Sequence, residues 1–179
     1  MTGSTQPQPS KHPFLDAYIR FADGLSIASG RLMAVFVIVL ILAILHEIVR
    51  RYFFGMPTIW GWEFQGAIFG AICMLSIPYA TYKNLHPRVP IFLDKCSSRV
   101  RFYLEILYIL IFLVPLMWVL FWFETQTVYG AWRIGEFSTE GGWEPLLWPI
   151  LLPIPLGAAL VLLQSFAELA KIIKLQDTL

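Results

Sequence analysis

Residues 32–63 read LMAVFVIVLILAILHEIVRRYFFGMPTIWGWE: an apolar run that ends at Ile48, then a connector that packs Arg51, two adjacent phenylalanines, Pro57, two tryptophans and Glu63 into about a dozen positions. A run that long and that apolar reads as a membrane span, because about 20 such residues cross the hydrocarbon layer. The composition agrees. Over 179 residues, 58% hydrophobic, 16% aromatic and 14% charged leaves more apolar surface than one soluble core can enclose. Working outward, four apolar stretches qualify: Leu32 to Ile48, Phe64 to Tyr82, Phe102 to Phe123 and Leu146 to Phe166. Each must be a helix, since lipid offers the backbone no hydrogen-bond partners and four spans cannot close a barrel. The expected fold is an all-α integral membrane protein with spans at about 31–51, 60–82, 100–124 and 146–169, all within one membrane domain over residues 14–179.

Ahead of the first span, Met1 to Pro13 is polar and rich in Pro, Gln, Ser and Thr, which predicts a disordered tail and no cleaved signal peptide. From Phe14 the pattern changes. Phe14, Tyr18, Phe21, Ala22 and Leu25 share one helical face, with Asp16, Arg20 and Asp23 opposite. This predicts an amphipathic helix over 14–29 lying along the membrane surface, with Gly30 and Arg31 turning the chain inward. The alternative is a plain extension of the first span.

Orientation follows from the Lys and Arg residues of the loops. One side holds Lys11, Arg20, Arg31, Lys83, Arg88, Lys95, Arg99, Arg101, Lys171 and Lys174; the other holds Arg50, Arg51 and Arg133. The asymmetry places both termini in the cytoplasm. All seven tryptophans, Trp60, Trp62, Trp118, Trp122, Trp132, Trp143 and Trp148, fall near or beyond the outer interface, where indole rings are favoured. The outer face is the more elaborate of the two.

Several chemistries are excluded. Cys73 lies in the second span and Cys96 in a cytoplasmic loop, so they form no disulfide framework. His12, His46 and His86 lie at depths that do not suit haem held by two histidines, and His46 reads as a structural or hydrogen-bonding residue. No nucleophile with a base, Gly-rich phosphate loop, metal-ligand spacing or pair of buried carboxylates is present, so no enzyme, cofactor or nucleic-acid partner is expected. Glu47, Glu63, Glu105 and Glu124 sit near helix ends, and Gln164 and Thr81 add little. A transporter with a path of its own needs ionisable groups near mid-membrane. This chain is therefore not expected to form the substrate path.

Packing signals concentrate in the second span. Gly66 and Gly70 are four apart, Ala67 and Ala71 repeat the interval, and Glu63 continues the same face one turn outward. Small residues at that spacing let helices approach closely, and a carboxylate at a helix N-terminus gains ~0.3 to 1 kcal/mol from the macrodipole. Chance occurrence in a glycine-tolerant membrane helix and a true interface both fit the pattern. Pro115 predicts a kink in the third span, and Pro149, Pro153 and Pro155 a distorted entry to the fourth. The long outer segment Glu124 to Glu144, with Glu136, Glu140, Trp132 and Trp143, suits either solvation or partner contact.

Arg51-Tyr52, Phe54, Pro57, Trp60 and Glu63 fit R-Y-x-F-x-x-P-x-x-W-x-x-E, a pattern that resembles the small membrane subunit of tripartite ATP-independent periplasmic (TRAP) transporters, the DctQ-like family. His86, Arg88 and Val89 are similar to its H-x-R-V-D segment, although Pro90 stands at the Asp position; Glu136, Ser138, Pro153, Gly157 and Gln164 are similar to its last loop and helix. The resemblance implies a division of labour in the bacterial inner membrane. A periplasmic binding protein captures an organic anion, and a large DctM-like subunit, which holds the sodium, moves it. The small subunit then serves as a stationary scaffold for an elevator-like motion. It implies a partner or lipid interface at Arg51, Tyr52, Pro57, Trp60, Glu63, Gly66, Gly70, His86 and Arg88, with no substrate, sodium or cofactor site on this chain. Two other classes remain: a membrane anchor of a haem-containing redox complex, and a self-assembling exporter in which Glu63 or Glu105 would have to lie deep in the membrane.

Overall fold

The computed structural model describes residues 13–83, 104 and 106–176. Helix α1 runs Pro13–Phe53 and α2 Gly61–Tyr82; a π-helical turn, Ile109–Leu113, leads into α3, Val114–Ile134; a short α4, Leu147–Leu151, precedes α5, Pro153–Gln176. Four stretches, Phe14–Phe53, Gly61–Tyr82, Ile106–Ile134 and Leu147–Ile172, are long and apolar enough to cross a membrane. Among the described residues the single β feature is an isolated bridge between Phe137 and Leu146. The chain is thus all-α with four candidate spans. Of the expected tail only Pro13 is described, as the opening residue of α1; His86, Arg88, Val89, Pro90, Cys96 and Glu105 also lie outside the described residues.

The first helix departs from the sequence expectation. Its 41 residues form one unbroken helix, with no turn at Gly30 and Arg31 and no separate helix over 14–29. At 1.5 Å per residue such a helix is roughly 60 Å long, about twice the hydrocarbon thickness, so much of it must project beyond that layer. Gly30 serves a different purpose: a Cβ there would lie 2.6 Å from Cγ of Tyr79, so its bare α-carbon is what lets α2 close against α1. The buried seam of this stretch is Ala22, Ser26, Ser29 and Met33, while Phe14 and Phe21 are exposed. Helical spacing of bulky residues pointed to the wrong face, because close packing rewards small side chains and partners for polar ones.

Helix α5 is the axis of the bundle, in contact with α1, α2 and α3. Its most apolar window is 39% buried against 11% for that of α1, which leaves α1 with most of its surface for lipid or a partner. Midway along, Leu113, Met117, Ala158, Val161 and Leu162 make the apolar core, with Ile77, Val114, Leu120 and Phe121 packed around them. One contact joins α2 to α5 especially closely. Pro78 lies inside α2 and has no N–H for the Met74 carbonyl four residues back. Gly157 of α5 lies against that freed oxygen, where a Cβ would sit 2.7 Å from it.

The other prolines act as their backbone chemistry dictates. The distortion expected at Pro115 is the π-helical turn just before it, in which the Val114 N–H reaches back to the Ile109 carbonyl. A widened turn makes room for the proline ring and for the carbonyl that it cannot satisfy. Pro153 opens α5 at the first helical position, where a missing N–H costs nothing. Across the junction of α4 and α5 the Leu152 N–H bonds to Trp148 O at 3.0 Å and the Leu156 N–H to Leu152 O at 3.3 Å, so the ladder survives the break.

Candidate functional site

The connector is built from its own backbone and one carboxylate. After Phe53, Gly55 takes φ +62°, a left-handed conformation that side-chain-bearing residues rarely adopt. The turn is tied twice: the Met56 N–H donates to Arg50 O at 3.2 Å, and Arg50 Nε–H donates to Met56 O at 3.3 Å. Pro57 follows, where the helix has already stopped. Glu47 Oε2 then accepts both the Thr58 N–H, at 3.2 Å, and the Thr58 hydroxyl, while Arg51 Nη2 donates to Oε1 at 3.4 Å. The Arg51 side chain is 63% exposed, so this ion pair holds the turn less firmly than the half-buried bonds to Thr58. Trp60 completes the link between helices, stacked on His46 of α1 at 5.7 Å between centroids and edge-on to Phe64 of α2 at 5.4 Å.

Glu63, in the first turn of α2, is only 6% exposed. The Ser138 hydroxyl donates to its Oε1 at 3.0 Å, whereas the buried Oε2 receives no hydrogen bond from the described residues. Ser138 is brought there by a well-defined loop. Helix α3 ends in paired bonds, Glu136 N–H to Ala131 O at 3.0 Å and Gly135 N–H to Trp132 O at 3.3 Å, with Gly135 left-handed at φ +63°. The loop then folds back on itself through Ser138 N–H to Pro145 O, 2.8 Å, and Leu147 N–H to Glu136 O, 2.9 Å. Its tip covers Glu63 closely: a Cβ on Gly141 would lie 3.0 Å from Glu63 Cδ, and one on Gly142 would lie 2.8 Å from Ile59 Cγ2. The connector and this loop therefore form one interlocked cap over the helix ends.

The structure brings Arg51, Tyr52, Pro57, Trp60 and Glu63 together at this end of the bundle, with Tyr52 79% exposed. Gly66 and Gly70 face open space, with nothing within 4 Å of a Cβ on either. The carboxylate of Glu63 does not join that open face, because the chain's own loop covers it. His86 and Arg88 lie outside the described residues. Sequence reasoning missed Glu47 and Thr58 as the pair that closes the connector. The available signal was Glu47 four residues before Arg51 on a helix that ends there.

The opposite end carries a polar network between the first and last helices. Gln164 is fully buried and is the hub of this network, a packing role that the sequence reading, concerned with a substrate path, did not assign it. Its Oε1 accepts from the Ser26 hydroxyl at 2.8 Å, and its Nε2 donates to Asp23 Oδ1 and to Glu168 Oε1, both at 2.9 Å. Lys171 Nζ donates to the same two oxygens, at 2.7 and 2.8 Å, and lies 5.1 Å from the Tyr82 ring centroid. Farther out, Lys174 Nζ meets Asp16 Oδ1 at 2.5 Å, and Tyr18 donates to Leu163 O at 2.8 Å. Asp16 and Asp23, expected to face water, thus face α5, whereas Arg20 stays exposed and bonds back to the Asp16 carbonyl. Their signal was present as Gln164, Glu168 and Lys171, one face of a helix at spacings of four and three.

Among the described residues no three His, Cys, Asp or Glu side chains converge to hold a metal ion. Comparison with known families finds that the profile described as "Tripartite ATP-independent periplasmic transporters, DctQ component" matches residues 27–175. A search of curated proteins finds no match.

Proposed function

Since the chain belongs to the DctQ family of tripartite ATP-independent periplasmic transporters, we propose that it is the small membrane subunit that scaffolds a large DctM-like transport subunit. It is a multi-pass transport protein and not an enzyme. In the proposed assembly a periplasmic binding protein delivers an organic anion, the large subunit binds sodium and moves the anion, and this chain widens the fixed anchor against which the mobile part works. In the proposed arrangement, set in a bacterial inner membrane as the family reading implies, both termini and the projecting start of α1 lie on the cytoplasmic side and the connector on the periplasmic side, an orientation supported by the excess of Lys and Arg on one side.

The observation that carries this reading is where the polarity sits. Charged and hydrogen-bonding side chains gather at the two ends, while the middle is filled by Leu113, Met117, Ala158, Val161 and Leu162. A packed apolar middle suits a scaffold; an ion path needs polar groups there. The partner surface we propose is the open face of α2 at Gly66 and Gly70 together with exposed Arg51 and Tyr52, with Pro57, Trp60 and Glu63 setting the cap that presents them. His86 and Arg88 are proposed to extend it on the cytoplasmic side.

Co-purification tests this. The chain, tagged and co-expressed with the DctM-like large subunit of the same organism's transport system, should elute with that subunit as one complex. Gly66→Leu with Gly70→Leu should cut co-elution at least tenfold while the chain still inserts and keeps its helicity. A wild-type chain that elutes without the large subunit would overturn the proposal.

A further inference from the structure

At the bundle end that carries the polar network, a groove of about 370 Å³ opens between α1 and α2, lined by Ile27, Gly30, Arg31, Ala34, Tyr79, Tyr82 and Lys83. We propose that this groove binds the headgroup phosphate of an anionic phospholipid, with Arg31 and Lys83 as its cationic ligands.

The depth is right for such a ligand. Arg31 immediately precedes the apolar run that starts at Leu32, and Lys83 immediately follows the last residue of α2. Both cations therefore stand near where hydrocarbon gives way to headgroups: Arg31 lies beside the level at which Gly30 packs on Tyr79, Lys83 about one helical turn farther out, and both line the same groove. Lipid phosphates lie at that level, and tyrosines beside them are favoured by their amphipathic rings. Ala34, about one turn deeper than Arg31, opens the apolar face along which an acyl chain can run.

At this end of the bundle the ion pairs among the described residues leave Arg31 and Lys83, with exposed Arg20, without a matching carboxylate, and of these only Arg31 and Lys83 line the groove. Lys171 is matched by Asp23 and Glu168, Lys174 by Asp16, and Arg20 donates to the Asp16 carbonyl. Arg31 and Lys83 are exposed, and neither has a carboxylate in ion-pair range among the described residues; Lys83 lies over the Tyr82 ring at 5.3 Å. With Lys171 near the same ring and already neutralised, Tyr82 separates a satisfied polar network from an unsatisfied cationic groove. The other cleft, about 410 Å³ near the connector, differs: its one arginine, Arg50, is already tied to Met56 O, and the remaining lining is His46, Pro57, Thr58, Ile59 and Trp60.

The proposal concerns this chain alone and stands whether or not the large subunit is its partner. Native mass spectrometry of the purified full chain, released from mild detergent, with added phosphatidylglycerol, phosphatidylcholine or inorganic phosphate, tests it. Wild-type chain should retain phosphatidylglycerol at least tenfold better than phosphatidylcholine, and millimolar inorganic phosphate should not displace it. Arg31→Gln with Lys83→Gln should lower that retention about 30-fold, as expected for two juxtamembrane cations. Arg31→Lys with Lys83→Arg should restore most of it, which separates lost charge from lost fold, and Arg50→Gln should leave it unchanged. Equal retention of the two lipids, or undiminished retention in the double Gln variant, would overturn the proposal. Displacement by free phosphate would also overturn it, in favour of a small-anion site.

Discussion

The two ends of the bundle are polar in different ways. At the connector end Glu47 and Glu63 act singly: one closes a turn through Thr58, eleven residues on, and the other holds a loop through Ser138. At the opposite end two carboxylates, an amide and a lysine share their bonds between the first helix and the last, with Asp23 and Lys171 separated by 148 positions. Single links let a cap be shaped by local sequence. A shared network instead fixes how whole helices sit, and it fails as a unit, because removing its cation leaves two carboxylates facing each other.

That contrast sets an order of effects. Lys171→Ala should destabilise the bundle by about 3 kcal/mol, read by denaturant unfolding in detergent, and adding Asp23→Asn with Glu168→Gln should recover more than half of the loss. A loss without recovery would mean that Lys171 matters by packing, not charge. Ser138→Ala should cost less, about 1 to 2 kcal/mol, since it strips the one observed donor from a buried carboxylate. Its clearest sign should be faster proteolytic nicking between residues 136 and 146, with the α1–α5 network untouched. Equal nicking in wild type would break the claim that Glu63 anchors the loop. Arg51→Ala should leave the unfolding midpoint unchanged, because its partner contact is mostly exposed, while weakening co-elution with the large subunit. A drop in stability as large as that of Ser138→Ala would place Arg51 in the fold instead of on the partner surface.

Much of this fold was legible because membrane helices advertise themselves. The apolar runs, the connector and the entry to the last span follow from length and from proline chemistry. The continuous α1 was not legible: amphipathic spacing over 14–29 and a glycine at position 30 look like a surface helix and a turn, and only Tyr79 packing against Gly30 shows otherwise. Gly157 over the Met74 carbonyl was invisible for the same reason, since the proline that frees that oxygen and the glycine that covers it lie on different helices. Gln164 looked isolated because its partners Ser26 and Asp23 lie far away along the chain. The connector was legible as a cluster but not in its pairing: Arg51 meets Glu47, and Glu63 meets Ser138. Periodicity reports what one helix buries, not which helix it meets.

The central claim, that this chain scaffolds transport without forming the path, is tested most directly in proteoliposomes carrying an inward sodium gradient, using the binding protein and large subunit proposed as its partners and the anion which that binding protein captures. The chain reconstituted alone should give no sodium-driven uptake, and uptake should appear when the large subunit is reconstituted with it. Sodium-driven uptake by the chain alone would contradict the account.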